Sequence, residues 1–210
     1  MRVSKSVALA DGTIVRGHFD PVSIALHWAT AALVLSQLLS GWAMSELGAL
    51  AMAPGLLVIH RSTGVMIWIV ALLRVFWRQT FASFPAFPAD MRRISKWTAR
   101  ATEYLLYALL LVQPLTGFLY TLLRGHPFVL FGTTVPPLLA RNTDLSEQFH
   151  KLHILGAYAF AAVVTGHAFA ALLHHFVRRD DVLESMAPVF RRTKTSRGHS
   201  SQVLQDVQAR

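Results

Sequence analysis

Residues 152–176 read LHILGAYAFAAVVTGHAFAALLHHF, an apolar run of 25 residues whose only ionisable groups besides Tyr158 are His153, His167, His174 and His175. At about 1.5 Å of rise per residue, such a helix crosses the roughly 30 Å hydrocarbon core of a bilayer. At about 100° per residue, the 14-residue step from His153 to His167 and the 7-residue step from His167 to His174 both return to nearly the same face. Three imidazoles therefore form one stripe, with His153 and His167 about 21 Å apart along the axis and one toward each membrane surface. Ionisable groups at such depths are uncommon unless they have partners. The rest of the chain has to supply them.

The composition fits this setting. The 210 residues are 53% hydrophobic and only 15% charged, with a mean hydropathy of +0.43; a soluble domain carries roughly 25% charged residues. Residues 22–44, 56–76, 102–123 and 152–176 each approach or exceed the roughly 20 residues needed to span. The expected fold is all-α: one integral-membrane four-helix bundle over residues 20–188, preceded by a polar segment (1–19) and followed by a polar, basic, disordered tail (189–210). The first run is longer than the apolar core of a signal peptide and follows a polar segment, so it is expected to remain in the mature protein. The absence of cysteine excludes disulfides, thiolate metal sites, covalent c-type haem attachment and iron–sulfur clusters. Histidine, present ten times, becomes the candidate metal ligand.

The formal net charge of +9 is a topology signal rather than a nucleic-acid footprint. Arg74, Arg78, Arg92, Arg93, Lys96 and Arg100 cluster around the second connection. Arg178, Arg179, Arg191, Arg192, Lys194 and Arg197 follow the fourth run. The first connection has no Lys or Arg between Trp42 and Ile59, and the third has Arg124, Arg141 and Lys151. The positive-inside rule then places both termini and the second connection in the cytoplasm, against anionic lipid, with no nucleic-acid partner.

Asp20 and Pro21 read as an N-cap followed by proline at the first helical position. His27 and Trp28 fall in the second turn. Pro54 and Gly55 are expected to break the chain before the second helix, in which Gly64, one turn after His60, either leaves room for a flat group beside that imidazole or serves helix packing. Arg74, 14 residues after His60, shares its face at the cytoplasmic end; it either pairs with an anionic group or snorkels to lipid headgroups. Residues 91–100 form a basic amphipathic piece expected to lie along the interface. The third helix, without histidine and interrupted by Pro114, reads as a kinked structural wall. Residues 124–148 form a long outer loop whose aromatic residues should pack over the bundle mouth.

This topology sorts the histidines by depth. His27 and His167 fall at the cytoplasmic level, and His60 and His153 at the outer level. Each level offers two imidazoles and no carboxylate, whereas zinc takes three or four ligands in a tight cluster. An iron already held by four porphyrin nitrogens needs only two axial ligands. The pattern thus points to two haem groups stacked across the bilayer, with basic residues at helix ends suited to their propionates. A proton relay or metal transporter built on the same histidines is the other reading. His174 is placed to hydrogen-bond a quinone carbonyl or relay a proton, or to snorkel beside His175. His150 competes with His153 as the outer ligand but has the poorer register with His167.

The chain resembles the bacterial cytochrome b561 family. The similarity is carried by PVSIALHW at 21–28, IHRSTG at 59–64, LRVFWR at 73–78, PLTG at 114–117, His167, HHFVRRD at 174–180 and MAP at 186–188. It implies His27, His60, His153 and His167 as axial ligands of two b-type haems in a bacterial inner-membrane protein that exchanges electrons with the quinone pool. One type of member is a superoxide oxidase that delivers electrons to ubiquinone; other relatives are electron-carrying cytochrome subunits for partner dehydrogenases. For the first activity, Arg124 and Arg141 in the outer loop are expected to steer superoxide, and the quinone is expected near His174 and the basic second connection.

Overall fold

The computed structural model describes residues 2–4, 7–8, 14–15, 19–46, 54–85, 93–178 and 182–186. The expected C-terminal tail and the middle of the second connection lie outside them. Four long helices dominate: α1 (Pro21–Glu46), α2 (Pro54–Thr80), α3 (Arg93–Leu123) and α4 (Thr143–Leu173). A π-helical turn (His174–Arg178) extends α4, and a short α5 (Val182–Met186) follows. All four long helices are long and apolar enough to cross a membrane. Large apolar side chains point outward on each of them, among them Leu39, Phe76, Leu105 and Phe169. In a spanning bundle that surface faces lipid tails.

The boundaries follow local chemistry. Asp20 caps α1 as expected: its carboxylate accepts from the Ser23 amide (2.9 Å) and hydroxyl (2.7 Å). Pro54 and Gly55, expected to precede α2, instead form its first turn, since proline at the first helical position gives up an amide that would be unpaired anyway. Residues 93–100 are not a separate interfacial piece. They are continuous with α3, because no proline or glycine intervenes before Pro114. The helix also runs on through Pro114, and Trp68 of α2 donates its indole N–H to the Leu111 carbonyl (3.1 Å) in the turn before it. The start of α4 lies at Thr143, nine residues before 152, where Asn142 accepts from the Leu145 amide (3.0 Å).

The long outer loop is correspondingly shorter and partly regular: β5 (Phe128–Leu130) pairs antiparallel with β6 (Thr133–Val135). It packs over the bundle mouth as expected, with Phe128 buried edge-on against Phe118 and the Phe131 amide donating to Ser62 Oγ of α2 (2.8 Å). Near the chain start, β1 (Arg2–Ser4) pairs in parallel with β4 (Ser83–Pro85), and β2 (Val7–Ala8) pairs antiparallel with β3 (Ile14–Val15). These parts of the N-terminal segment are thus more regular than its polar sequence suggests.

Successive long helices run antiparallel. Trp77 near the end of α2 donates to Asp20 before α1 (2.9 Å), Arg78 pairs with Glu103 near the start of α3, and Gln113 late in α3 bonds to His153 early in α4 (2.5 Å). Val34, Ile67, Ala71, Leu110 and Phe160 form the central core, to which all four helices contribute.

Candidate haem sites

The bundle brings the four expected histidines together as two pairs. The rings of His27 and His167 have centroids 6.4 Å apart, and those of His60 and His153 lie 6.3 Å apart. His153 and His167 occupy one unbroken helix, so the two levels are about 21 Å apart along it. The competing imidazole of His150 turns away and stacks on Tyr120 at 4.6 Å.

These separations can be tested against haem ligation. An imidazole nitrogen lies about 2 Å from a transition metal that it ligates, and the ring centre about 1.1 Å behind it, so imidazoles on opposite sides of one iron have centroids about 6.2 Å apart. Both pairs meet that spacing. Among the described residues no cluster of three or more His, Cys, Asp or Glu side chains could hold a bare metal ion. Two imidazoles per level, without a third donor, match a metal whose other positions are filled by a macrocycle.

At the level of His60 and His153 each imidazole is held by the neighbouring helix, and the two holders have the same sequence pattern. In α1 it is Gln37, Ser40 and Gly41; in α3 it is Gln113, Thr116 and Gly117. Gln37 Nε2 donates to the His60 carbonyl (2.9 Å), and Gln113 Nε2 to the His153 carbonyl (2.5 Å). Ser40 Oγ lies 2.8 Å from His60 Nδ1, and Thr116 Oγ1 lies 3.1 Å from His153 Nδ1. Each hydroxyl gives its own proton to the carbonyl three residues back, Ser40 to Gln37 (3.1 Å) and Thr116 to Gln113 (2.8 Å). The imidazole is therefore the donor through Nδ1–H, and His153 shares its proton with the Gln113 carbonyl (3.1 Å). This fixes the tautomer that leaves Nε2 free for a metal, the usual arrangement behind a ligating histidine.

The glycines complete the pattern. A methyl group at Gly117 would stand 2.8 Å from His153 Cε1, and one at Gly41 3.5 Å from His60 Cε1. Gly64 does not open space beside His60; it lets the Gln37 amide approach, as Gly156 does for Gln113. The packing alternative for Gly64 is the one realised.

The hairpins α1–α2 and α3–α4 are thus two copies of one holding device, and α3 positions His153 rather than serving as an inert wall. The signal was present in the sequence as QLLSG at 37–41 and QPLTG at 113–117, followed by a histidine 23 and 40 residues after the glutamine. The copies diverge at the other level. Fourteen residues after His60 stands Arg74, where the second copy has His167; ten residues before Gln37 stands His27, where the second copy has Glu103.

Arg74 lies within electrostatic reach of both His27 and His167, and its guanidinium is 5.3 Å from the Tyr107 ring. It lines a cleft with Ser23, Trp77, Arg78, Glu103 and Tyr107. His174 caps the C-terminal end of α4, half-buried in the π-helical turn, next to buried His175. At the opposite end Arg61 packs over Phe128 (5.9 Å) and Arg124 over Tyr120 (5.8 Å). Arg61 Nε is buried with no hydrogen-bond partner among the described residues, a donor suited to an anionic group such as a propionate. Arg141 is exposed, its backbone pressed against Gly125, whose φ of +65° makes the turn.

Four antiparallel spanning helices with facing histidine pairs at two depths define a multi-pass membrane protein of the electron-transferring b-cytochrome class. The chain belongs to the prokaryotic cytochrome b561 family, whose model matches residues 18–188 and so takes in all four helices. Probable superoxide oxidase CybB of Yersinia pestis is 29% identical over 173 residues, covering 81% of this chain and 96% of that one. Cytochrome b561 homolog 2 of Escherichia coli (strain K12) is 31% identical over 173 residues (80% and 90%), and homolog 1 is 23% identical over 177 (81% and 97%).

Proposed function

We propose that the protein binds two b-type haems, one between His27 and His167 and one between His60 and His153, and transfers single electrons across the bacterial inner membrane from superoxide to ubiquinone. The facing imidazole pairs, at 6.4 and 6.3 Å, carry this reading. Each haem, when bound, supplies a one-electron iron couple. Two superoxide anions lose one electron each to give two molecules of dioxygen, and one ubiquinone takes both electrons and two protons to give ubiquinol.

The chain's own residues divide the work. The four histidines bind, and Ser40, Gln113 and Thr116 orient the His60 and His153 rings. Arg61 and Arg124 place positive charge at the His60 end, where an anionic donor would arrive. Arg74 and His174, at the other end, supply donors for a propionate or a quinone carbonyl. The density of Lys and Arg in the sequence at that end supports a cytoplasmic side for it. The similarity to a probable superoxide oxidase supports the choice of donor.

The test is a dithionite-reduced minus oxidised spectrum, with haem quantified per chain, for the wild type, His167→Ala and His60→Ala. Two haems in the wild type and one in each variant are expected. A folded wild type without haem would return the histidines to proton or metal transport. Stopped-flow mixing with superoxide then separates an oxidase, reduced rapidly without a partner, from an electron carrier that waits for a dehydrogenase.

A further inference from the structure

The two imidazole pairs differ in what stands behind them. His60 donates its Nδ1 proton to Ser40 Oγ at 2.8 Å, and His153 donates to Thr116 Oγ1 and the Gln113 carbonyl, both at 3.1 Å. Among the described residues no hydrogen bond reaches a ring nitrogen of His27 or His167. Among the described residues their ring neighbours are each other and, for His27, the edge of Trp28 at 5.6 Å. The holding device is complete twice at one level and absent at the other.

A histidine that donates its second N–H to an acceptor becomes a more basic ligand. A more basic axial ligand stabilises ferric over ferrous iron, and second-shell hydrogen bonding is one of the levers by which a protein tunes a haem. Fixed positive charge is present at both levels, Arg61 near His60 and Arg74 near His27 and His167, so what distinguishes the levels in hydrogen bonding is the acceptors behind the rings. Glu103, which also reaches His167, is paired with Arg78.

We infer that the duplicated Gln-x-x-Ser/Thr-Gly element sets the direction of electron flow: by hydrogen-bonding His60 and His153, Ser40, Thr116 and the Gln113 carbonyl hold that level at a lower midpoint potential than the level of His27 and His167. The inference rests on the di-haem reading above. Electrons entering at the outer level then reside preferentially at the level nearer Arg74, with no bond made or broken and no proton moved by these residues. Ser40 and Thr116 are positioning residues that act through the imidazoles.

Spectroelectrochemical titration of the full-length, haem-loaded protein tests this without any turnover. The wild type should titrate in two steps, with the lower step missing from His60→Ala and the upper step missing from His167→Ala. Ser40→Ala should raise the lower midpoint and leave the upper one in place, and Ser40→Thr, which keeps the acceptor, should restore it. Thr116→Val leaves the Gln113 carbonyl as acceptor and should give a smaller shift in the same direction; it provides the same reading if Ser40→Ala does not accumulate. Two haems with midpoints that neither variant moves, or a lower step that belongs to the His27 and His167 level, overturn this inference alone. A wild type without haem overturns the reading beneath it as well.

Discussion

Gly117 faces the imidazole of His153 so closely that a methyl group there would stand 2.8 Å from Cε1 and 3.0 Å from Nδ1. Real β-carbons essentially never make such contacts, and this ring is held at Nδ1 by Thr116 and by the Gln113 carbonyl. If each histidine pair holds a haem as proposed, Gly117→Ala should displace His153 and release one haem of two, leaving the level of His27 and His167 loaded. Gly41→Ala, with 3.5 Å to His60, should retain both haems. Haem-to-protein ratios of the two purified variants decide between them.

Gln113 is buried at 9% exposure and ties α3 to α4 through the His153 carbonyl. Gln113→Ala should cost about 1 kcal/mol from the lost hydrogen bond and more from the gap left beside Gly156. The midpoint of thermal unfolding in detergent should fall, and, on the di-haem reading, the haem proposed for this level should dissociate first on heating.

Asp20 serves two elements, capping α1 through Ser23 and accepting the Trp77 indole from the end of α2. Loss of the cap alone is worth about 1 kcal/mol. Asp20→Asn keeps an acceptor for both and should be nearly neutral, whereas Asp20→Ala should lower thermal stability measurably. Equal stabilities for the two variants would count against the shared role.

Arg78 and Glu103 form an ion pair in the cleft beside Arg74, with their side chains 20% and 38% exposed. At that exposure the pair contributes about 1 kcal/mol or less, so Glu103→Gln should unfold only slightly more easily than wild type. A large loss of stability would show a cleft much drier than these exposures indicate.

Arg61 and Arg124 both lie at the His60 end, and no carboxylate pairs with either of them among the described residues. If superoxide is the donor, Arg124→Gln should slow its second-order reaction several-fold at low ionic strength, and the difference from wild type should shrink as salt is added. A salt-independent defect would point to a structural role for Arg124 instead.

Apolar length and the 14-residue histidine spacing were enough to specify four spans and two imidazole pairs, because a helix in lipid satisfies its backbone internally and its register then fixes depth and face. Asp20 and Pro21 announced the start of α1 for an equally local reason. Hydropathy could not place the ends of α3 and α4, since residues 93–101 and 143–151 are polar yet helical. Nor could it show what Gly64 packs against, because a glycine's neighbour belongs to another helix.

The sequence by itself determined the number of spanning-length helices, their alternating direction and the pairing by level of His27 with His167 and His60 with His153, all of which depend on spacing along one chain. Only the tertiary structure decided which acceptors stand behind His60 and His153, that α3 positions a candidate ligand without contributing one, and that His150 stacks on Tyr120. Those contacts join residues separated by 20 to 40 positions, such as Ser40 with His60 and Gln113 with His153. They depend on how each helix is rotated about its own axis against its neighbour, a degree of freedom that hydrophobic periodicity leaves open when the whole outer surface faces lipid.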